Sequence, residues 1–178
     1  MDSPLSRLTT RAAASQDAHL LAAFGAQTFF DTFAEENTPE DMAAYLHNSF
    51  SPEKQAAQIA APGVLFLLAE IDGEPCGYAQ LREGPLPDCV TGARAVEIGR
   101  FYVGKAWIGK GVAGKLMTAC LQAAAERQCD TIWLDVWEKN PRAIAFYRKW
   151  GFEVVGTQPF QLGSDLQTDL LMARTVSG

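Results

Sequence analysis

Between Val103 and Met117 the chain reads VGKAWIGKGVAGKLM: an apolar, strand-like run gives way to glycines and lysines, then to a helical pattern. Glycines and lysines at a strand-to-helix junction suit phosphate, because the first turn of a helix offers unpaired N–H groups and the positive end of its dipole. Three phosphate chemistries fit the letters. Gly104-x4-Gly109-Lys110 approaches a nucleotide-hydrolysing loop, but Gly111 stands where that loop needs a Ser or Thr hydroxyl for Mg²⁺. Gly109-x-Gly111-x-x-Gly114, with Asp135 further on, fits a dinucleotide fingerprint. That fold needs two βαβαβ halves, and too little chain follows the loop to build the second. The third reading is a cradle for another diphosphate, in which glycines admit the ligand to the backbone and Lys110 and Lys115 add charge. The dipole contributes only about 0.3–1 kcal/mol near a surface, so the N–H donors must do most of the binding.

The charge distribution points the same way. The 178 residues carry a net charge of −6, which argues against a general nucleic-acid binder. Yet nine of the fifteen basic residues fall between Arg100 and Lys149 against four acids, so that segment is +5 and the remainder −11. A basic third inside an acidic protein suits a local anionic ligand, with cations drawn elsewhere. Cys76, Cys89, Cys120 and Cys129 show no CxxC spacing, and with two histidines in the chain no zinc or other metal site is expected. Free thiols in a reducing, cytoplasmic setting are the expectation. The start, MDSPLSRLTT, shows no secretory leader, and no apolar run reaches the roughly 18 residues of a membrane helix.

The elements that must position the loop can be read from periodicity and punctuation. A first strand is predicted near Leu5 to Arg11. A helix follows from Ser15 or Asp17 to Phe33, with Ala23, Ala26, Phe30 and Phe33 recurring at helical spacing. Thr38 with Pro39, and Ser51 with Pro52, each start a helix. VLFLLAEI (64–71) and the run 75–81 form a hairpin about Asp72-Gly73. A strand at 95–103, a helix at 111–128 with Val112, Leu116, Cys120 and Ala124 inward, and a strand at 131–138 make a βαβ unit. A helix capped by Asn140 and a last hairpin about Gly163-Ser164 complete a mixed α/β sheet, antiparallel first, with helices on both faces.

At this point two segments resemble a known family. EIGRFYVGKAWIGKGVAGKLM, followed by IWLDVWEKNPRAIAFYRKWGF, resembles the two cofactor motifs of the GNAT acyltransferase superfamily. The first is usually Gln/Arg-x-x-Gly-x-Gly/Ala; here it runs Ile108-Gly109-Lys110-Gly111-Val112-Ala113, and Ile108 replaces the Gln/Arg, removing a side chain while leaving the backbone donors. The second, Asn140-x-x-Ala143-x-x-Phe146-Tyr147-x-x-x-Gly151-Phe152, matches closely. The resemblance spans residues 64 to 173. FFDTFAEENTPEDMAAYLHNSFS and LGSDLQTDLLM further resemble a bacterial branch that includes spermine/spermidine acetyltransferases.

The resemblance implies one domain over 1–178: acceptor-side elements in 1–62, an acetyl-CoA core in 95–152, and a splayed pair of parallel strands around the pantetheine arm. Main-chain groups of Tyr102 and Val103, beside Phe101, would bond the pantetheine. Gly109, Val112, Ala113, Gly114 and Lys115, with Ile108, Lys110 and Gly111, would receive the pyrophosphate. Asn140, Ala143 and Phe146 would touch the arm, Tyr147 would reach the thioester sulfur, and Lys149 would meet the nucleotide phosphate.

The implied reaction is transfer of an acetyl group to a primary amine, small molecules and polyamines included. An alkyl amine with a pKa of about 10.4 must lose a proton first, which costs about 4–5 kcal/mol at pH 7. Glu97 is the candidate base: it lies six residues before Val103, which places both on one strand face. Its other reading is a carboxylate paired with Arg100 or Arg94. Tyr147 would protonate the leaving sulfur; its other reading is an aromatic packing beside Phe146. The Val103 amide would hold the oxyanion. Asp31, Glu35, Glu36, Glu40 and Asp41 either draw a cationic acceptor or form a solvated helix end. A non-catalytic acetyl-CoA sensor, a peptide-amine acetyltransferase and a nicotinamide-dependent enzyme are the alternatives, and exposed strand edges are compatible with a homodimer.

Overall fold

Helix starts follow their sequence signals. In the computed structural model, which describes residues 3–177, Thr38 Oγ1 accepts from the Asp41 amide (3.2 Å) and opens α2, Pro39–Ser49. Ser51 does the same for α3, Pro52–Ala60, and Asn140 for α5, Pro141–Lys149. Each cap satisfies an N–H that the helix leaves orphaned, worth about 1 kcal/mol. Met1 and Asp2, the start of the stretch expected to hold no secretory leader, and Gly178, the last residue of the expected domain, lie outside the described residues.

Two details depart from the sequence reading. The segment from Leu5 is not yet strand: Pro4–Arg7 is a 3-10 turn capped by Ser3, and β1 covers Leu8–Ala12. Pro4 has a fixed φ and no N–H to give a ladder. The first helix, α1 (Ala18–Phe33), turns a different face inward: Leu21, Ala22, Gly25, Thr28 and Phe29 are buried, whereas Ala23 and Phe30 are exposed. Gly25 sets this phase, because any Cβ there would overlap the Tyr78 hydroxyl and the Phe50 ring.

The strands β2 (Val64–Ile71), β3 (Glu74–Arg82), β4 (Ala95–Val103), β5 (Thr131–Trp137), β6 (Glu153–Leu162) and β7 (Asp165–Thr175) join β1 in one sheet, ordered β1-β2-β3-β4-β5-β7-β6. Asp72 and Gly73 both take positive φ (54° and 82°), as a two-residue hairpin with right-twisted strands requires. Every pairing is antiparallel except β4–β5. α4, Val112–Glu126, crosses between those two and buries Val112, Leu116, Cys120 and Ala124 against Ala79, Val96, Ile98 and Ile132. Helix α1 covers the opposite face, where Leu21 packs with Phe66, Leu68 and Tyr78. The four cysteines are free thiols. Among the described residues no helix is long and apolar enough to cross a membrane, and no group of three His, Cys, Asp or Glu is placed to hold a metal.

Candidate active site

The parallel ladder between β4 and β5 ends at Ile98–Leu134, although both strands continue, to Val103 and Trp137. Beyond that pair the strands part. The backbone of β4 is oriented into the gap in alternate residues. Gly104 N donates to the Cys76 carbonyl (2.9 Å), and antiparallel pairs alternate between bonded and non-bonded. The Gly77–Val103 and Ala79–Phe101 pairs are therefore non-bonded, and the peptide groups of Phe101 and Val103 face away from β3, toward the gap. Those of Tyr102 face β3. This corrects the expectation of a main-chain role for Tyr102: its ring instead packs edge-on against Tyr78 at 5.4 Å.

At the far end of β4 the glycine loop forms an open helix entrance. Gly109 and Gly111 both adopt left-handed φ (75° and 89°), and Gly111 caps α4. A Cβ on Gly111 would lie 2.7 Å from Leu5 Cδ1; one on Gly109 would meet nothing within 4 Å. Among the described residues the amides of Gly109, Gly111, Val112, Ala113 and Gly114 donate to no protein acceptor, so five N–H groups are available to an anion.

Gap and loop are parts of one cavity of about 850 Å³. Its middle is walled by Asn140, Ala143, Phe146 and Tyr147 from α5. Asn140 Oδ1 is already committed to the Ala143 amide (3.3 Å). Tyr147 is 8% exposed and packs on Phe101 and Phe152. Burial, with Cys120 and Asp135 nearby, pushes its hydroxyl well above the usual phenol range, so it is a proton donor at neutral pH. Arg142 and Lys149 also line the cavity and supply positive charge.

The other end of the cavity is aromatic and acidic. Phe29 stacks on Tyr45 at 4.3 Å, Phe33 meets Trp137 at 5.5 Å, and Phe160 closes on Tyr45 at 5.5 Å. Arg100 reaches in from β4, held by Gln55 (2.8 Å), Gln58 (3.0 Å) and the Phe50 ring. Asp135 and Asp169 share this end. Asp169 is 5% exposed and its Oδ1 has no hydrogen-bond partner among the described residues. Burial first, then the Asp135 carboxyl and Glu138, raise its pKa well above the usual carboxylate range.

Glu97 is not part of this lining. A bulge at Gly99 interrupts the β3–β4 register, and one extra residue reverses the side-chain alternation. Glu97 and Val103 therefore lie on opposite faces, not one. The Glu97 carboxylate is gripped from both oxygens by Arg82 (2.6 and 2.9 Å), rather than by Arg100 or Arg94. Gly99 makes room for that grip, since a Cβ there would lie 3.0 Å from Arg82 Nε.

The acetyltransferase (GNAT) family model matches residues 27–152, well over half of the chain. The chain belongs to that family. An uncharacterized N-acetyltransferase of Lactobacillus delbrueckii subsp. lactis is 33% identical over 154 residues, covering 86% of this chain and 89% of its own length. The spermine/spermidine N(1)-acetyltransferase of Bacillus subtilis is 31% identical over 90 residues, 50% of this chain and 59% of that protein. The PaiA N-acetyltransferase of Thermoplasma acidophilum, solved with coenzyme A, superposes with a TM-score of 0.76 at 19% identity, covering 94% and 98% of the two chains, a likeness of fold.

For a GNAT chain, the structure unites most of the residues read from the motifs. Phe101, Tyr102, Val103, Ile108, Gly109, Gly111, Ala113, Gly114, Asn140, Ala143, Phe146, Tyr147 and Lys149 all line the one cavity. Val112 contributes its amide only, its side chain being core. Lys110 lies over the Trp107 ring at 5.5 Å, and neither it nor Lys115 lines the cavity. Asp31, Glu35, Glu36, Glu40 and Asp41 do not line it either; Asp41 holds the amide and hydroxyl of Ser164. The sequence reading missed Asp169, Arg142 and Tyr45, which no local pattern marks.

Proposed function

We propose that this chain transfers the acetyl group of acetyl-CoA directly to the amine of a small-molecule primary amine, polyamines being one class of acceptor to test. The observation that carries this reading is the continuity of the cavity, from five unpaired amides at a helix entrance, through a gap between parallel strands, to an acidic and aromatic end. The cofactor fits the residues present. The loop amides would take the diphosphate, Phe101 and Val103 would bond the pantetheine amides, and Asn140, Ala143 and Phe146 would flank the arm. Arg142 and Lys149 would meet the phosphates. Bound acetyl-CoA supplies the electrophilic carbonyl and a thiol leaving group. The Val103 amide would stabilise the oxyanion, and the Tyr147 hydroxyl would protonate the departing sulfur. Half-length similarity to a spermine/spermidine acetyltransferase supports including polyamines in the panel.

Calorimetric titration with acetyl-CoA and with NADPH, and acetylation assays on spermidine, alkylamines, amino acids and a lysine peptide, test it. Tight acetyl-CoA binding with turnover of a small amine is the expected result. Binding without turnover of any amine would identify a sensor, turnover of the peptide alone would identify a protein-directed enzyme, and preference for NADPH would overturn the cofactor assignment.

A further inference from the structure

The acceptor end of the cavity contains a group that protein structure ordinarily avoids. Asp169 is 95% buried by its 5% exposure and faces the cavity, yet Oδ1 is without a partner among the described residues. A buried acceptor left unpaired costs about 1–3 kcal/mol; a proton kept by Asp169 and shared with the adjacent carboxyl relieves that cost, and a cationic donor can take the proton's place. Its neighbour is the Asp135 carboxyl. On the β5–β7 ladder Trp137 faces Asp169 and Asp135 faces Leu171, which sets the two acids diagonally on one face of the sheet. Asp135 is also the first residue of β5 past the last pair with β4, at the mouth of the gap. Gln158 Nε2 donates to Asp135 Oδ2 at 3.3 Å, leaving lone pairs on both acids for a further donor.

We propose that the Asp135–Asp169 carboxyl pair binds the acceptor as an alkylammonium ion and takes its proton, which makes the acceptor a cationic primary amine on an apolar stem lying among Phe29, Tyr45, Trp137 and Phe160. The inference rests on the acetyl-transfer reading above. The pair is a better base than a lone aspartate, because its second proton is held by burial and by the neighbouring carboxyl. The charged and titratable groups about it are Glu138, Arg82, Arg100 and Tyr102 from the strand side, Tyr45 from α2 and Tyr147 from α5. In the step itself the ammonium proton passes to the pair. The freed electron pair on nitrogen forms the N–C bond as the carbonyl π pair moves to oxygen, and the oxyanion so formed collapses to break the C–S bond. Tyr147 gives its proton to sulfur and regains one from the new amide nitrogen, and the pair releases one proton to solvent.

The test measures kcat/KM for hexylamine, phenethylamine and spermidine from pH 5 to 9 in native protein, Asp135→Asn, Asp169→Asn and Glu97→Gln, with the acetyl-CoA Kd measured alongside. Each aspartate variant is expected to lose about a hundred-fold or more in kcat/KM, the range of a lost general base. The acetyl-CoA Kd is expected to hold within about two-fold, since the phosphate and arm contacts are intact. The acid limb of the profile is expected to move to lower pH in Asp169→Asn, a change that loss of packing would not produce. Losing a buried charge, Asp169→Asn should stay folded, so the test does not depend on Asp135→Asn. Aspartate variants that keep native kcat/KM, or a loss carried by Glu97→Gln alone, would overturn the pair while leaving the acetyltransferase reading standing. Failure of native protein to bind acetyl-CoA would sink both, whereas turnover of an amino acid with none of the three amines acetylated would overturn the pair alone.

Discussion

Asp169 lies diagonally across the β5–β7 ladder from Asp135, with both residues lining the aromatic and acidic end of the cavity that passes between β4 and β5. The two are 34 residues apart in sequence and are adjacent only because β7 inserts between β5 and β6. The relationship has consequences for stability as well as for chemistry.

Asp169 in the folded protein holds its proton to higher pH than the ordinary value of 3.8 that it would show unfolded. Above that value the folded state binds more protons than the unfolded one, so stability falls as pH rises through the window. Asp169→Asn removes this slope. Thermal denaturation is expected to show Tm unchanged near pH 3.5 and raised by a few degrees at pH 8, the equivalent of about 1–2 kcal/mol at this chain length. Equal Tm values at pH 8 would contradict the burial cost assigned to this carboxylate.

Tyr147→Phe keeps the ring contacts with Phe101 and Phe152 and deletes only a hydroxyl that bonds to no described residue. Stability is expected to stay within about 0.5 kcal/mol, while kcat drops by ten-fold or more with acetyl-CoA affinity retained. Stopped-flow or steady-state assays separate the two effects. Unchanged kcat would remove Tyr147 from the proton inventory.

The glycine loop offers a graded test. Gly109→Ala meets open space and suffers only left-handed strain, about 1–2 kcal/mol. Gly111→Ala adds a collision with Leu5 at 2.7 Å to the same strain. Denaturant melts should rank Gly111→Ala as the more damaging, and acetyl-CoA titrations should show both weakened, since each displaces amides of the cradle.

Gly25→Ala is a test of packing remote from the cofactor. The added methyl overlaps the Tyr78 hydroxyl and the Phe50 ring, and overpacking of this kind typically costs about 1–3 kcal/mol. A lower urea midpoint with an unchanged m-value is the expected result; Phe50 also stacks under Arg100, so the amine KM should rise too.

The chain declared much of this locally. Thr38, Ser51 and Asn140, each followed by proline, each start an α-helix, and Asp72-Gly73 closes a hairpin by its own φ preferences. The loop at Gly109–Gly114 and the run from Asn140 to Phe152 are contiguous, so the glycine-loop half of the cavity was legible as text. Side-chain alternation along β4 was not. The bulge at Gly99 comes from the way β3 and β4 register, and it put Glu97 on the face opposite Val103 and into the hands of Arg82. The phase of α1 likewise follows from where Tyr78 and Phe50 press on Gly25.

The sequence by itself therefore determined the glycine-loop end of the cavity, because helix caps, turns and orphaned amides depend on residues a few positions apart. Tertiary structure alone decided the acidic and aromatic end. There Asp135, Asp169, Tyr45 and Arg100 come from four separate elements, and the proton affinity of a carboxyl depends on what surrounds it in space, not on what precedes it in the chain.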